Sequence, residues 1–541
     1  MKQYVVTASE MKRYDANTIQ KYKVPSLLLM ERAALVTVEE LQHARGDKPC
    51  RVLIVAGCGN NGGDGLAIGR LLMLQGYEVT CILLGSEDRC TEETVRQISI
   101  LREYGMHIFS TIQNDEYDIV IDAIFGVGLS RPAEGAFRDA IEWINASDAY
   151  VCSVDIPSGI RTDTGEVMGC AVFADLTVTY GFRKLGHILY PGSEYVGRLI
   201  CRQMGIDERS FLGEEPVWYT YTGSDSRVLP SRRPDGNKGT FGKALLIVGN
   251  EKIAGAAMMA AKSVFRIGTG TVKIATAAEN RESLMQYLPE VMLLTYSVNM
   301  FAKNKETPQD RSASGEKEHS WDNGYSGEDV SFIEELREAE TWADCILVGP
   351  GIGTDKRAYE LLRFSILESD LPLLIDADGL NLLAKDKELQ DALADCGRRG
   401  RTIILTPHLG EFARLYGCSV TRAKEHLTEY PHELSERLQS IVVCKDARTV
   451  VVCPGARSSY VNITGNAGMA TAGSGDVLSG IIAGLLAQKM PGVDAAVAGV
   501  YLHGIAGDLA AGQRTETAMT ATDIIECISD AILMQQGKRF F

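Results

Sequence analysis

Nine residues, Gly57-Cys58-Gly59-Asn60-Asn61-Gly62-Gly63-Asp64-Gly65, follow an apolar strand-like run and open a segment of helical period. The first six match G-x-G-x-x-G, the loop that lets backbone amides approach a dinucleotide's pyrophosphate. That match is weak by itself, and the loop carries groups that such a site avoids. Asp64 sets a carboxylate at the helix start, where it repels phosphate and occupies the positive end of the helix dipole. Taken alone, Asp64 reads as a helix cap. Asn60 and Asn61 add side-chain oxygens suited to ribose hydroxyls or to a hard cation. Two further strand ends carry carboxylates beside glycines: Asp122 ahead of Gly126 and Gly128, and Asp155 ahead of Pro157, Ser158 and Gly159. Ligands of an open parallel sheet sit outside the carboxyl ends of its strands, so three such ends predict one crevice.

The second half repeats the theme with different chemistry. His408 follows a strand-like run in Thr406-Pro407-His408-Leu409-Gly410-Glu411, and Asp376-Ala377-Asp378-Gly379 ends another. Turn chemistry alone would account for the second of these. Val348-Gly349-Pro350-Gly351-Ile352-Gly353 is a third Gly-rich strand end. The strongest signal is Gly473-Ser474-Gly475-Asp476, preceded by Thr464-Gly465-Asn466 and followed by a long run of small apolar residues. Successive amides at a helix start form a cradle for a transferring phosphoryl group. Asp476, in the first turn, is placed to take a proton from a substrate hydroxyl. No Gx₄GK[ST] run occurs, which excludes a Walker-type ATPase.

These residues need parallel sheets to hold them. Apolar strand runs at 51–56, 78–84, 118–123 and 150–156, with a helical segment at 64–75, predict a first α/β domain. A Gly, Glu, Pro, Ser and Arg stretch at 212–237 reads as a linker. A second series runs through 244–248, 272–276, 345–348, 373–375, 402–405, 441–444 and 449–453. Two α/β domains split near residue 220 are expected. Residues 304–328 have almost no aliphatic side chain and read as a polar surface insertion.

In 541 residues, 55 basic against 71 acidic side chains leave a net charge of −16, which argues against a chain that coats nucleic acid or an anionic membrane. The 13 cysteines include no CxxC pair and read as reduced thiols. No apolar run of 18 residues occurs, and the N-terminus lacks a signal-peptide stretch. A cytoplasmic homo-oligomeric enzyme acting on small molecules is expected, with no membrane or nucleic-acid partner.

The motifs GxGNNGGDG, DAIFGVGL (122–129) and VDIPSG (154–159), in this order, resemble the NAD(P)H-hydrate epimerase family. Asp15, residues 29–34 and the run Lys184-Leu185-Gly186-His187 are similar to it as well. The resemblance covers about 1–213 and implies a Rossmann-like domain over 1–215 that interconverts the R and S epimers of hydrated nicotinamide nucleotides. It implies a potassium ion held by Asn61, Asp122 and Ser158. It implies substrate contacts from Asn60, Asn61, Gly62, Gly63 and Asp64, from Gly126, Val127, Gly128, Leu129, Ser130, Arg131 and Pro132, and from Asp155, with Asp155 moving the proton. The chemistry suits a carboxylate, because C6 of the hydrate is a carbinolamine carbon whose hydroxyl proton controls ring opening.

KGTFG (238–242), GAA (255–257), GPGIG (349–353), TPHLGE (406–411), KDART (445–449) and TAGSGDVLSG (471–480) resemble the ribokinase-like superfamily. Within it they look like the ADP-dependent NAD(P)H-hydrate dehydratases, over 225–541. The resemblance implies hydrate contacts from Ala256, Gly351 or Gly353, His408 and Asp476. It implies nucleotide contacts from Lys445, Asp446, Ala447, Arg448 and Thr449 and from Gly473, Ser474 and Gly475, with magnesium on the diphosphate. Asp476 would deprotonate the C6 hydroxyl for attack on the terminal phosphoryl of ADP. Two positions depart from the family pattern: Leu409 stands where Pro is expected and Asp446 where Gly is expected.

The resulting expectation is a bifunctional repair enzyme. A ribokinase-type small-molecule hydroxyl kinase fused to a non-catalytic nucleotide-binding module is the alternative, and it would leave a stable phosphorylated product. A nicotinamide dehydrogenase, the reading invited by G-x-G-x-x-G alone, would show redox turnover, which is not expected.

Overall fold

The computed structural model describes residues 2–112, 115–222, 229–230, 232–301 and 326–536. The chain forms two compact units, Gln3–Tyr219 and Thr220–Phe541, the latter including Met1–Lys2.

The sheet of the first unit comprises β1 (Arg51–Ala56), β2 (Glu78–Leu83), β3 (Ile108–Phe109), β4 (Ile119–Ala123), β5 (Tyr150–Val154), β6 (Leu176–Tyr180) and β7 (Arg198–Arg202). Its order is β3-β2-β1-β4-β5-β6-β7, and every pair is parallel. The apolar runs are strands because helices cover both faces; Val52, Leu53, Ile54 and Val55 are all fully buried. The order reverses at β1 and β4, which opens a crevice at their carboxyl ends. β6 (LTVTY) escapes a search for apolar runs because its buried threonines are satisfied by hydrogen bonds: Thr177 donates to the Val196 carbonyl and Thr179 to Asp155. Lys2–Val6 pairs with Arg183–Lys184 in parallel, with Val5 opposite Arg183.

In the second unit, β8 (Lys243–Ile247), β9 (Thr271–Ala277), β10 (Met292–Tyr296), β11 (Cys345–Val348), β12 (Leu373–Ile375), β13 (Ile403–Leu405), β14 (Ile441–Cys444), β15 (Val450–Val452) and β16 (Ser459–Val461) follow in chain order. They align as β10-β9-β8-β11-β12-β13-β14-β15-β16. Pairing is parallel up to β14 and antiparallel for β15 and β16. Stepwise bonds staple the strand ends together: Gly349 donates to Ile247, Asp376 to Val348, Thr406 to Ile375 and Lys445 to Pro407. The helix Ser474–Ala487 packs closely on Gly255–Arg266. A Cβ on Gly480 would run into the Ala260 carbonyl, and one on Gly484 into Ile267.

Two sequence expectations change. Part of the 212–237 stretch is a strand, Trp218–Tyr221 (WYTY): three aromatics and a threonine favour extended backbone, and Trp218 and Thr220 are buried. Of the expected insertion at 304–328, residues 304–325 lie outside the described residues. Its last three begin a helix, Gly327–Trp342, because Ser326 and Asp329 form a capping box. The helix Gly492–Arg514 has the length and composition of a membrane span, yet 78% of its apolar window is buried inside the unit. A helix apolar all round is a core helix when it is surrounded, and this one lies against Ser474–Ala487 and Ala521–Gln535.

Candidate active sites

The helix predicted at 64–75 starts four residues earlier, at Asn60, with Gly59 as its N-cap. Close approach explains the shift. A Cβ on Gly62 would collide with the Gly57 carbonyl, and one on Gly65 with Ala123, so the glycines let the first turn fold back onto the strand ends. Asp64 is therefore not a cap. It lies one turn inside the helix and faces a cavity of about 740 Å³. Asn60, Asn61, Gly126, Val127, Gly128, Leu129, Ser130, Arg131 and Asp155 line the same cavity. Gly62, Gly63 and Pro132, expected as substrate contacts, are not among its lining residues; Gly62 and Gly63 are buried in helix packing. Gly62→Ala is accordingly expected to destabilise the first unit by about 1–3 kcal/mol through overpacking. Urea unfolding of the full chain measures it, and an unchanged midpoint would refute the packing role.

Asp155 follows β5 with φ +67°, a left-handed conformation that aims its carboxylate into the cavity and its carbonyl at His187. Lys184 and Thr179 both donate to its Oδ1, Thr179 at 2.9 Å. The ammonium also donates to Thr179 Oγ1 at 2.7 Å and is fully buried. Burial raises the Asp155 carboxyl, but the charge and hydrogen bond of Lys184 outweigh it, so the net shift is downward. His187 completes the frame. Its Nδ1 accepts from the Lys184 amide at 3.1 Å, which leaves Nε2 to donate to the Asp155 carbonyl at 2.9 Å. Burial and the Lys184 charge hold this imidazole neutral, down to about 3. Asp64 shifts the other way: burial first, then the charges of Asp155 and Asp15, push it well above the carboxylate range. Asp15 is raised by burial, Glu93 and Asp155. The cavity thus sets one carboxyl lowered by Lys184 beside two that burial and its charge raise. Lys12, Asp15, Tyr180 and Lys184 also line it and were not chosen as site residues from sequence. Asp15 and the Lys184 run stood out in the sequence, but no spacing linked them to Asp155.

Asn61, at the cavity wall, is joined to the buried Asp122 and Ser158 by one chain of bonds. Asn61 donates to the Phe125 carbonyl at 3.0 Å, the Phe125 amide donates to Ser158 Oγ at 2.9 Å, and Ser158 Oγ donates to Asp122 at 2.5 Å. Asp122 is fully buried and takes further bonds from Ser153 Oγ and the Ser158 amide. Burial raises it, which these bonds partly offset. An amide, a hydroxyl, a carbonyl and one carboxylate are oxygen groups of the kind a hard cation takes.

In the second unit, Gly473 (φ +89°) caps Ser474–Ala487, and Asp476 occupies the third helical position. Burial, then the charge of Asp376, pushes Asp476 up to about 6; Lys445 opposes this, and Asp378 and Glu411 add to it. Lys445 Nζ donates to Asp376 Oδ1 at 2.8 Å. Ser474 Oγ lies 3.3 Å from Nε2 of the buried His503, which burial and Lys445 hold neutral, down to about 4. His408 is the N-cap of Leu409–Tyr416: its Nδ1 accepts from the Gly410 amide at 2.9 Å while Glu411 accepts from its own amide. Burial and the charges of Lys445 and Arg414 lower it, so the cap is a neutral imidazole. Leu409 stands at the first helical position, where Pro is favoured but not required, which explains that departure. Residues 445–449 form the loop between β14 and β15, and Asp446 lies outside the left-handed region, so no glycine is needed there. Thr449 Oγ1 closes this loop onto the Asp446 carbonyl at 3.3 Å. Ala447, in the middle of this loop, is exposed. Gly351 (φ +65°) sits against Ala256 and Ile253, and the Gly353 amide donates to Asp378 at 2.9 Å. Among the described residues, no group of three His, Cys, Asp or Glu side chains is arranged to hold a metal ion by itself.

Residues 244–530 match the model of the NAD(P)H-hydrate dehydratase family, and residues 26–186 match that of the YjeF-related protein N-terminus. The chain is 34% identical to the bifunctional NAD(P)H-hydrate repair enzyme Nnr of Thermofilum pendens, over 98% of this chain and 96% of that protein. It is 35% identical to the Moorella thermoacetica enzyme of the same name, over 97% and 95%. With the Escherichia coli enzyme it shares 32% identity, over 88% and 84%. Both halves match, in one order and nearly end to end, so the chain belongs to the bifunctional NAD(P)H-hydrate repair enzyme family.

Proposed function

We propose that the first unit interconverts the R and S epimers of hydrated NADH and NADPH. The second unit dehydrates the S epimer to NAD(P)H at the expense of ADP, releasing AMP and phosphate. The observation that carries this reading is that each unit sets a carboxylate of the tuning its reaction needs at the carboxyl edge of its own parallel sheet. Asp155 is held ionised by Lys184, and Asp476 is raised toward neutrality.

In the first unit Asp155 accepts the C6 hydroxyl proton as the C6–N1 bond opens, and Asp64, raised by burial and by the charge of Asp155, supplies a proton to N1. Rotation presents the other carbonyl face, and ring closure returns both protons, so neither carboxyl is consumed. Asn61, Asp122 and Ser158 would hold potassium, which supplies a fixed charge against the buried Asp122 and stiffens the turn from Phe125 to Gly128. Epimerisation and thermal stability are therefore expected to be higher in potassium than in sodium at equal ionic strength. Equal rates and equal melting temperatures in the two ions would remove this assignment.

In the second unit Asp476 takes the C6 hydroxyl proton, and the oxygen attacks the terminal phosphoryl of ADP as its bond to AMP breaks. The amides of residues 473–476 and the Lys445 ammonium receive the charge, and magnesium bound to the diphosphate would add positive charge there. The N1 lone pair then expels phosphate, and loss of a C5 proton to the departing phosphate restores the dihydropyridine. Phosphorylation turns hydroxide, a poor leaving group, into a good one. His408, Ala256, Gly351 and Gly353 would contact the hydrate, and residues 445–449 and Gly475 the nucleotide. The test is incubation with hydrated NADH plus ADP or ATP while absorbance at the reduced-nicotinamide band is followed. A stable phosphorylated product without recovery of absorbance would instead identify a hydroxyl kinase.

A further inference from the structure

Asp376 ends β12 and is almost completely buried, and its two oxygens go to different elements. Oδ1 accepts from Lys445 Nζ, at the end of β14, at 2.8 Å. Oδ2 accepts from Ser479 Oγ, which sits in the helix Ser474–Ala487 one turn beyond Asp476 and lies 3.0 Å from the Gly475 carbonyl. The Lys445 ammonium comes to rest against the helix start: a Cβ on Gly475 would lie 3.4 Å from its Nζ.

This placement is electrostatically awkward. The amino end of a helix carries a partial positive charge, and a partly buried ammonium is repelled there unless a counter-charge holds it. Asp376 is that counter-charge, and its own position is over-determined. Its amide is bonded to Val348, and its carbonyl packs so tightly on Gly349 (φ +128°) that no side chain fits at that glycine.

We infer that Asp376, bridged to Ser479, is a positioning residue for dehydration: it clamps the Lys445 ammonium across the start of the Ser474–Ala487 helix, where the transferred phosphoryl group is received. The inference rests on the proposed dehydratase reading of this site. One consequence is a pH signature. The charged groups around Asp476 are Asp376, Asp378, Glu411 and Lys445, and His408 and His503 near Lys445 are neutral. Asp376→Asn removes the neighbouring anion that raises Asp476 more than Lys445 lowers it, which makes Asp476 a stronger acid. The acid limb of dehydration must therefore move to lower pH. A purely structural Asp376 would lower activity and leave the limb in place.

The experiment measures kcat and kcat/KM for ADP-dependent NADH recovery from pH 4.5 to 9 in the full chain, for wild type, Asp376→Asn and Ser479→Ala. Asp376→Asn is expected to move the acid limb down by about 1–2 pH units and to lower kcat about 10²-fold, the scale of a misplaced group. Ser479→Ala keeps both charges, so a smaller loss of kcat with an unmoved limb is expected. A folded Asp376→Asn protein whose limb stays at the wild-type pH overturns the inference. If Asp376→Asn does not fold, Ser479→Ala decides: reduced kcat supports the clamp, and wild-type kcat overturns it. Failure of wild type to restore NADH with ADP would sink the underlying dehydratase reading instead, which separates the two failures.

Discussion

Asp476→Asn is expected to cut ADP-driven recovery of NAD(P)H by about 10²–10⁴-fold, the usual cost of losing a general base. ADP affinity, measured by calorimetry, should change little, and epimerisation should proceed at the wild-type rate. Asp476 sits at the third position of its helix and the cap is Gly473, so the amide substitution takes no capping bond away. Fold loss is therefore not the expected cause of inactivity. With Asp476 near 6, wild-type dehydration should fall as pH drops through about 6, because the base becomes protonated. The Asn variant should lose that limb. Wild-type recovery rates in purified Asp476→Asn would exclude the kinase-like mechanism.

Asp155→Asn is expected to slow R-to-S conversion by about 10²–10⁴-fold while leaving ADP-dependent repair of the S epimer intact. R epimer should then persist, converting at its spontaneous rate, which chromatography of the two epimers resolves. Asn tolerates the left-handed backbone at this position better than most residues. It does, however, leave the buried Lys184 ammonium without its counter-charge, a change that typically costs about 3–5 kcal/mol. Lower stability of the first unit is therefore part of the expected result. The sign with pH follows from the lowered Asp155: the ion pair stabilises the fold above the unfolded carboxyl range, near 4, and that stability is lost as pH falls through the folded value. Fast R-epimer conversion in a folded Asp155→Asn protein would show that another group moves the proton.

Much of the fold is legible in the sequence because parallel strands buried on both faces are continuous apolar runs. Cys345–Val348, Leu373–Ile375 and Ile441–Cys444 coincide with their runs. β6 and Trp218–Tyr221 were not legible: the buried threonines of β6 take hydrogen-bond partners from other segments, and WYTY is a four-residue strand inside a stretch of polar and turn-forming residues. The helix start at Asn60 was hidden for a related reason. Asn and Gly are poor helix formers, and only the close approach of Gly62 to Gly57 and of Gly65 to Ala123 makes that turn helical.

The sequence by itself determined which chemical groups stand at strand ends: in a parallel sheet the polar residues that close each apolar run fall at the carboxyl edge, so Asp122, Asp155, Asp376 and His408 could be placed there by pattern alone. What only the tertiary structure decided is which of these groups are partners and which hold protons. Lys184 reaches Asp155 across 29 residues, and Ser479 reaches Asp376 across 103. Asp155 is lowered while Asp64 and Asp476 are raised, though all three are aspartates beside glycine-rich turns. The balance between desolvation and a neighbouring charge depends on burial and on distances of a few ångströms, and those are set by how the elements pack rather than by their spacing along the chain.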